Sequence, residues 1–381
     1  MRILRSCAGS LLVIVLAPLA ARAGVANPDI SVIGQPVASW TDAADDRARK
    51  RPVLDVGETE IVLDAALNPY ARGFFTLALA DGAIEVEEGY FTMLRGLPGG
   101  LTLKAGKYRA GFGKLNPAHP HTYPFAERFH VLAAYLPGDE AFNETGISLS
   151  TRLPSPGDWA ITASLDVLQG DSFRIERESS GTANDPIELL GLDGDRPGEP
   201  RSALLGRLSA FAPMGDRSGV ELGLSATQGT NNVAAATRTM VFGGDVKAKV
   251  WTSPATYLLV QGEVLGLDRQ DARWEDIAGT YAHADVKPMG GYVFADYNWH
   301  TRYNAGASFE RWQRADAEKA WEQAFGLFGG LALMEETTAF RIGWEHYQPA
   351  RASGASVDPE AVNRVTLRLL YSMGPHKVHQ F

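Results

Sequence analysis

Cysteine is almost missing from this chain of 381 residues: it occurs once, at Cys7. Long apolar runs are missing too. The longest, Leu11 to Leu19, is broken by Pro18, and a membrane helix needs about 20 apolar residues. Arg2 and Arg5 precede that run and Ala21-Arg22-Ala23 follows it. This order of charge, apolar core and small-residue site is that of a cleavable export signal over residues 1–23, with a mature chain from Gly24. Cys7 leaves with the signal, so disulfides and cysteine-ligated metals are excluded. Cys7 also lies before the apolar run, which argues against a lipoprotein. Basic charge is short: the net charge of −9 becomes −12 once Arg2, Arg5 and Arg22 are removed. Such a chain has no electrostatic route to nucleic acid. Catalytic motifs are lacking as well. Gly-x-Ser-x-Gly, a P-loop and His-Glu-x-x-His do not occur, and no residue is assigned a catalytic role.

Helical periodicity and a domain linker are likewise absent, whereas turn-bounded alternating segments recur throughout. About sixteen strands are predicted, beginning with Ile30–Ser39 and Glu58–Leu67 and ending with Thr337–Tyr347 and Asn363–Met373. Leu101–Gly113 is the pivotal one, with Leu101, Leu103 and Ala105 on one face and Thr102 and Lys104 on the other. Short links such as 68–71, 154–158, 212–218, 252–255, 300–302 and Glu335-Glu336 alternate with mostly longer polar ones, above all 114–145 and 169–201. Short turns on one rim and long loops on the other predict an all-β fold, a transmembrane antiparallel β-barrel spanning 24–381 with both termini at the short-turn rim. A barrel of this size encloses an aqueous channel unless a loop fills it, and 114–145 is the loop best placed to fold inward.

The charged faces point to a wet lumen. Glu60, Asp64, Lys104, Asp245, Lys247, Lys249, Glu263, Arg341, Glu345, Arg364 and Arg368 alternate with apolar neighbours and are expected to line the pore, as are Glu58, Glu85, Glu87, Asp166, Glu221, Asp296, Glu310 and Arg207. Acidic positions outnumber basic ones, so the expected ion preference is for cations. In Ile84–Leu94, Glu88 shares a face with Val86 and Tyr90, and a bulge there would shift the parity. Trp159, Trp251, Trp299, Trp312, Trp321 and Tyr347 fall near strand ends, where interfacial aromatic girdles sit. His119 and His121 flank Pro120, with His130 later in the same loop. An H-x-H pair on extended backbone turns both rings to one side, so these three histidines are candidate zinc ligands, with Glu127, Asp139 and Glu140 nearby. Surface-loop histidines without a ligand are the alternative. Asp193 and Asp195 could attract calcium or be a solvated acidic loop. No other cofactor is indicated.

The segment Leu103–Gly113, LKAGKYRAGFG, resembles the glycine, aromatic, basic, Phe-Gly strand of porins related to the phosphate-selective O/P group. The mature chain as a whole, with GKLNPAHPH and FNETG, is similar to a family of proteobacterial outer-membrane barrel proteins, some of whose members are labelled zinc-regulated TonB-dependent outer membrane receptors. Such receptors carry a plug domain before the first strand, whereas strands here begin near Ile30. Phe381 resembles the terminal aromatic read by the barrel-assembly machinery. The resemblance implies outer-membrane localisation, contact with lipid and lipopolysaccharide, passage of small solutes or ions, and homo-oligomers. The readings left open are a porin, a receptor or uptake protein for a metal such as zinc, and an adhesive barrel.

Overall fold

The computed structural model describes residues 28–375 apart from 45, 50, 81, 139–140, 175–201, 234, 276–279, 317, 334–337 and 352–358. The export signal, Asp139, Glu140, Asp193, Asp195, the Glu335-Glu336 turn and Phe381 lie outside the described residues. Nineteen strand segments join edge to edge into a single sheet that closes on itself. They are β1 (Asp29–Gly34), β2 (Val37–Thr41), β3 (Val53–Asp55), β4 (Thr59–Asn68), β5 (Ala71–Ala80), β6 (Ala83–Met93), β7 (Thr102–Arg109), β8 (Asn143–Leu153), β9 (Ala160–Leu168), β10 (Ala203–Met214), β11 (Ser218–Asn232), β12 (Thr237–Ser253), β13 (Thr256–Glu275), β14 (Thr280–Val286), β15 (Met289–Trp299), β16 (Tyr303–Gln313), β17 (Trp321–Ala332), β18 (Thr338–Gln348) and β19 (Val362–Met373).

Three pairs of segments make one wall strand each. β1 and β2 both pair with β19, and β3 and β4 continue the next strand, pairing with β2 and β1 respectively. β14 and β15 both pair with β13. The wall is therefore a closed antiparallel barrel of 16 strands. The interruption at Gln35-Pro36 follows from chemistry: proline has no N–H to give the ladder. Gly57 accommodates the crossing there, because with φ +65° a Cβ would sit 2.0 Å from the Gln35 carbonyl oxygen. β1 begins opposite the end of β4, and β19 ends opposite β1, so the first and last described strands meet at the rim of the 69–70 turn.

Alternation sorts the side chains. Ile147, Leu149, Leu165, Val167, Leu222, Leu224, Phe242, Val264, Phe309, Leu327 and Ile342 are exposed on the outside, an apolar belt suited to lipid. Tyr297, Trp299 and Tyr303 stack in series near the 300–302 turn, and Trp159 and Trp321 are also exposed, as girdle residues should be. Trp312 and Tyr347 depart from that expectation. They stack on each other, and Trp312 is buried in the interior cluster that Tyr347 packs against. No described helix is long and apolar enough to cross a membrane.

The pivotal strand ends earlier than expected, at Arg109. From Ala110 the chain leaves the wall and enters the lumen. The buried cluster is assembled there, from Phe112, Leu115, Tyr123, Phe125, Phe129, Leu132 and Phe142 of the loop and Val241, Leu259, Leu265, Tyr292, Phe294 and Phe328 of the wall.

Candidate functional site

The described residues of the segment 110–142 form a plug closed at its own neck. Ala110 donates its N–H to the Phe142 carbonyl (2.8 Å). Asn116 completes the closure: its Nδ2 donates to Ala110 O (2.8 Å) and Phe142 O (3.0 Å), and its Oδ1 accepts from the Phe142 N–H (2.9 Å). An amide side chain is suited to this because it carries two donors and an acceptor on one planar group. Asn116 thus ties together the two sequence motifs, GKLNPAHPH and FNETG.

Past the neck, the chain binds one wall. Gly113 N–H donates to Ser225 Oγ (3.1 Å), and Lys114 and Leu115 N–H both donate to Glu263 Oε1 (2.8 and 2.9 Å). The hydroxyl of Tyr292 donates to the same oxygen (2.7 Å). Three donors thus converge on one oxygen of the buried Glu263 carboxylate, and such bonds offset part of the cost of burying it. Lys114 Nζ reaches Glu221 (2.5 Å). Gly113 has φ +60°, and a Cβ there would lie 2.1 Å from Glu263 Oε2, so only glycine fits between plug and wall.

Farther along, the plug follows the wall from β15 toward β19. Phe129 stacks on Tyr292 (ring centroids 4.1 Å apart), and Phe125 packs edge-on to Phe294 (5.0 Å) and Phe328 (5.7 Å). Glu127 accepts from Thr366 Oγ1 (3.0 Å). A short helix, α1 (His130–Tyr135), opens with Val131 N–H donating to Glu310 Oε2 (3.1 Å) and ends with Tyr135 donating to the Gln313 carbonyl (2.8 Å). Beside the plug lies a cleft of about 40 Å³ lined in part by Glu127, Arg128, Glu310, Glu345 and Arg364. A vestibule of about 360 Å³ lies toward the short turns, lined in part by Asp64, Arg72, Tyr90 and Thr92.

Of the charged residues named from the alternation, Glu60, Asp166, Asp245, Glu263, Asp296 and Glu310 are buried on the inner side of the wall. The register links Asp245 to Glu263, Glu345 to Arg364, and Arg341 to Arg368. Asp245 is gripped by Arg207 (2.6 and 2.9 Å) and Asp64 by Arg72; Lys104 lies over the rings of Tyr90 and Tyr108. Lys247 and Lys249 share their face with Asp245 on β12. Glu85, by contrast, sits at the exposed end of β6 with Lys107. Arg341 and Arg368 are like charges placed opposite each other, a costly pairing. Both aim at the plug, donating to the carbonyls of His121 (2.7 Å) and Pro120 (3.5 Å).

The histidines separate. His119 and His121 come together, rings 5.5 Å apart, on either side of a turn closed by Thr122 Oγ1 donating to His119 O (2.7 Å). Around them lie Glu60 of β4 and Glu87 and Glu88 of β6. His119 Nδ1 is 3.3 Å from Glu60 and 3.4 Å from Glu87, its Nε2 is 2.8 Å from Glu88, and His121 Nδ1 is 2.9 Å from Glu60. Burial works against a charged His119 ring, but its hydrogen bonds to the carboxylates of Glu60, Glu87 and Glu88 outweigh it and hold its pKa well above the usual histidine value. His130 is not part of this group. By position 130 the chain has crossed the lumen to the start of α1, where His130 packs between Trp312 and Tyr347 and lies 3.7 and 3.8 Å from Glu310 and Glu345. Burial, helped by Arg364, pushes its pKa down to about 4.

Simple alternation missed Glu88. A register shift between Thr76 and Leu77 leaves Glu87 without a cross-strand partner, so both glutamates turn inward. The signal was the Glu87-Glu88 doublet inside a strand, at the place where a bulge would change the parity. Arg109, which holds Glu87 (Nε to Oε1 2.9 Å) and gives its N–H to Glu88 (2.9 Å), carried no comparable signal.

No model of a known protein family matches the chain. A protein of Aquifex aeolicus (strain VF5), described as uncharacterized, is 30% identical over 223 residues, which is 56% of this chain and 45% of that protein; the match thus spans under half of that relative's length. Solved structures are similar in fold. An anion-selective porin from Comamonas acidovorans aligns with a TM-score of 0.58 at 12% identity, covering 91% of this chain and 100% of that one. The outer membrane channel DcaP of Acinetobacter baumannii aligns at 0.56 and 10% identity (93% and 99%). OprB of Pseudomonas putida aligns at 0.55 and 9% identity (91% and 94%). The fold is that of outer-membrane porins.

Proposed function

We propose that the protein is an outer-membrane channel for small solutes or ions, in which the plug 110–142 sets how much can pass. The observation that carries this reading is the plug itself: a polar, charged wall facing inward is spanned by a loop bonded to both sides of it, leaving a narrow cleft and an open vestibule. A wall lined with charge is of use only where water and solutes enter. The apolar outer belt supports placement in lipid; lipopolysaccharide at the long-loop rim, delivery by an export signal and insertion by the barrel-assembly machinery belong to the same proposal. A homo-oligomer belongs to the same proposal; an outer membrane protein of Vibrio cholerae with this fold has been solved in a trimer form.

Reconstitution tests the proposal. The folded chain should give discrete conductance steps in planar bilayers and permit swelling of liposomes in small sugars. A barrel that inserts yet neither conducts nor admits solutes would contradict it. The second reading, a receptor or uptake protein for a metal such as zinc, draws on the cluster around His119 and His121. It differs in expecting saturable metal flux in place of general solute permeability.

A further inference from the structure

The meeting of two histidines from the plug with three glutamates from the wall has no role in a simple pore. Glu60, His119 and His121 are 0%, 5% and 3% exposed, and each presents a ligand-type atom within 4.8 Å of the others. The carboxylates of Glu58, Glu60 and Glu87 converge within the same distance. A tetrahedral zinc ion with bonds of about 2.1 Å sets its donors about 3.4 Å apart. His119 Nδ1 lies 3.3 Å from Glu60 Oε2 and 3.4 Å from Glu87 Oε2, close to that spacing, and His121 Nδ1 lies 2.9 Å from the other Glu60 oxygen, Oε1.

Charge points the same way. Glu60, Glu87 and Glu88 are buried together, and the guanidinium bonded into the group is that of Arg109. Buried carboxylates need compensating positive charge, and a dication that displaces the proton His119 otherwise holds supplies two units at one point. The surroundings are also built as metal ligands' surroundings are, with outer groups fixing the inner ones. Gln35 Nε2 donates to Glu60 Oε1 (3.3 Å), Arg109 holds Glu87, and Arg341 holds the His121 carbonyl.

We propose that Glu60, His119 and His121, with Glu87 as a fourth donor, bind a divalent transition-metal ion of the zinc type, and that this ion clamps the plug to the β4–β6 wall. The donors come from both partners, two from the plug and two from the wall, so the ion binds the docked plug more tightly than a displaced one. By linkage it then favours the docked, low-conductance state. This consequence for conductance rests on the channel reading; the metal site does not.

The experiment uses the full folded chain in detergent, with zinc and cobalt salts as probes. Calorimetry should give one zinc site per chain, and cobalt should develop the visible absorption of a tetrahedral N/O complex. His119→Ala with His121→Ala should weaken zinc binding more than about 100-fold, while His130→Ala leaves it unchanged. If the double variant fails to fold, Glu60→Gln, which keeps the side-chain shape, should weaken binding in the same direction. Zinc should lower the conductance of the parent chain, and a chelator should restore it. Equal zinc binding by parent and variants, or none by the parent, overturns the site. Zinc binding that the variants lose but that leaves conductance unchanged overturns the clamp. Zinc binding by a barrel that never conducts leaves the site standing and overturns the channel reading.

Discussion

Replacing Phe129 by alanine is expected to loosen the plug without loosening the barrel. Phe129 is buried, lies 4.1 Å from Tyr292 in a stack, and contacts Phe125 at 4.9 Å and Phe294 at 6.2 Å, ring centroid to centroid. Truncating a buried phenylalanine costs about 3–5 kcal/mol when its surroundings cannot close the cavity. The plug is a loop and can settle, so about 3 kcal/mol is the reasonable figure, and each 1.4 kcal/mol is about a factor of ten. The population with the plug displaced should therefore rise roughly a hundredfold. None of the strand ladders uses this side chain, so the barrel should stay closed. Two assays read the effect. Planar-bilayer recordings should show the high-conductance level occupied far more often. Protease added to the long-loop side should cut within 110–142, with the wall strands intact. Unchanged conductance and unchanged protease resistance in a correctly folded variant would refute the reasoning.

Gly113→Ala should act in the same direction. It adds about 1–2 kcal/mol of left-handed backbone strain and drives a Cβ into Glu263, releasing the Lys114 and Leu115 N–H groups; faster proteolysis of 110–142 is the readout. The open channel should prefer cations weakly, because acidic side chains lead on the lumen face; a reversal potential in a salt gradient with the sign of anion preference would contradict this. Acid should destabilise the plug through His130. Its folded pKa of about 4 lies below its ordinary value of 6.5, so between those pH values the unfolded chain takes up a proton that the folded one does not. Stability is then lost as pH falls through that window. The shift in thermal midpoint between pH 7 and pH 4.5 should be smaller in His130→Gln.

The wall was legible because alternation is local. Segments such as Thr337–Tyr347 and Asn363–Met373 announce their inner and outer faces residue by residue, and the observed strands follow them closely. What local pattern could not convey was set by contacts across the lumen. Trp312 and Tyr347 look like girdle residues until the plug supplies an interior surface for them. His130 looks like a companion of His119 and His121 until the chain is seen to cross the lumen between them. Arg341 and Arg368 read as pore charges, yet their guanidinium groups are spent on backbone carbonyls of the plug. The position of Glu88 turned on one extra residue in β6, which reverses parity without changing composition.

The central claim, that residues 110–142 sit inside the barrel and govern passage, is tested most directly by tethering them. Ala126 of the plug lies against Gly343 of β18, and a Cβ at Gly343 would be 3.2 Å from the Ala126 Cβ, near the 3.5–4.5 Å that a disulfide requires. Ala126→Cys with Gly343→Cys, in a chain freed of residues 1–23 and thus of Cys7, should form the bond on mild oxidation. Conductance should then be held at a constant low level and rise again when the bond is reduced. Failure of the two cysteines to join, or a bond that forms and leaves conductance unchanged, would contradict the account.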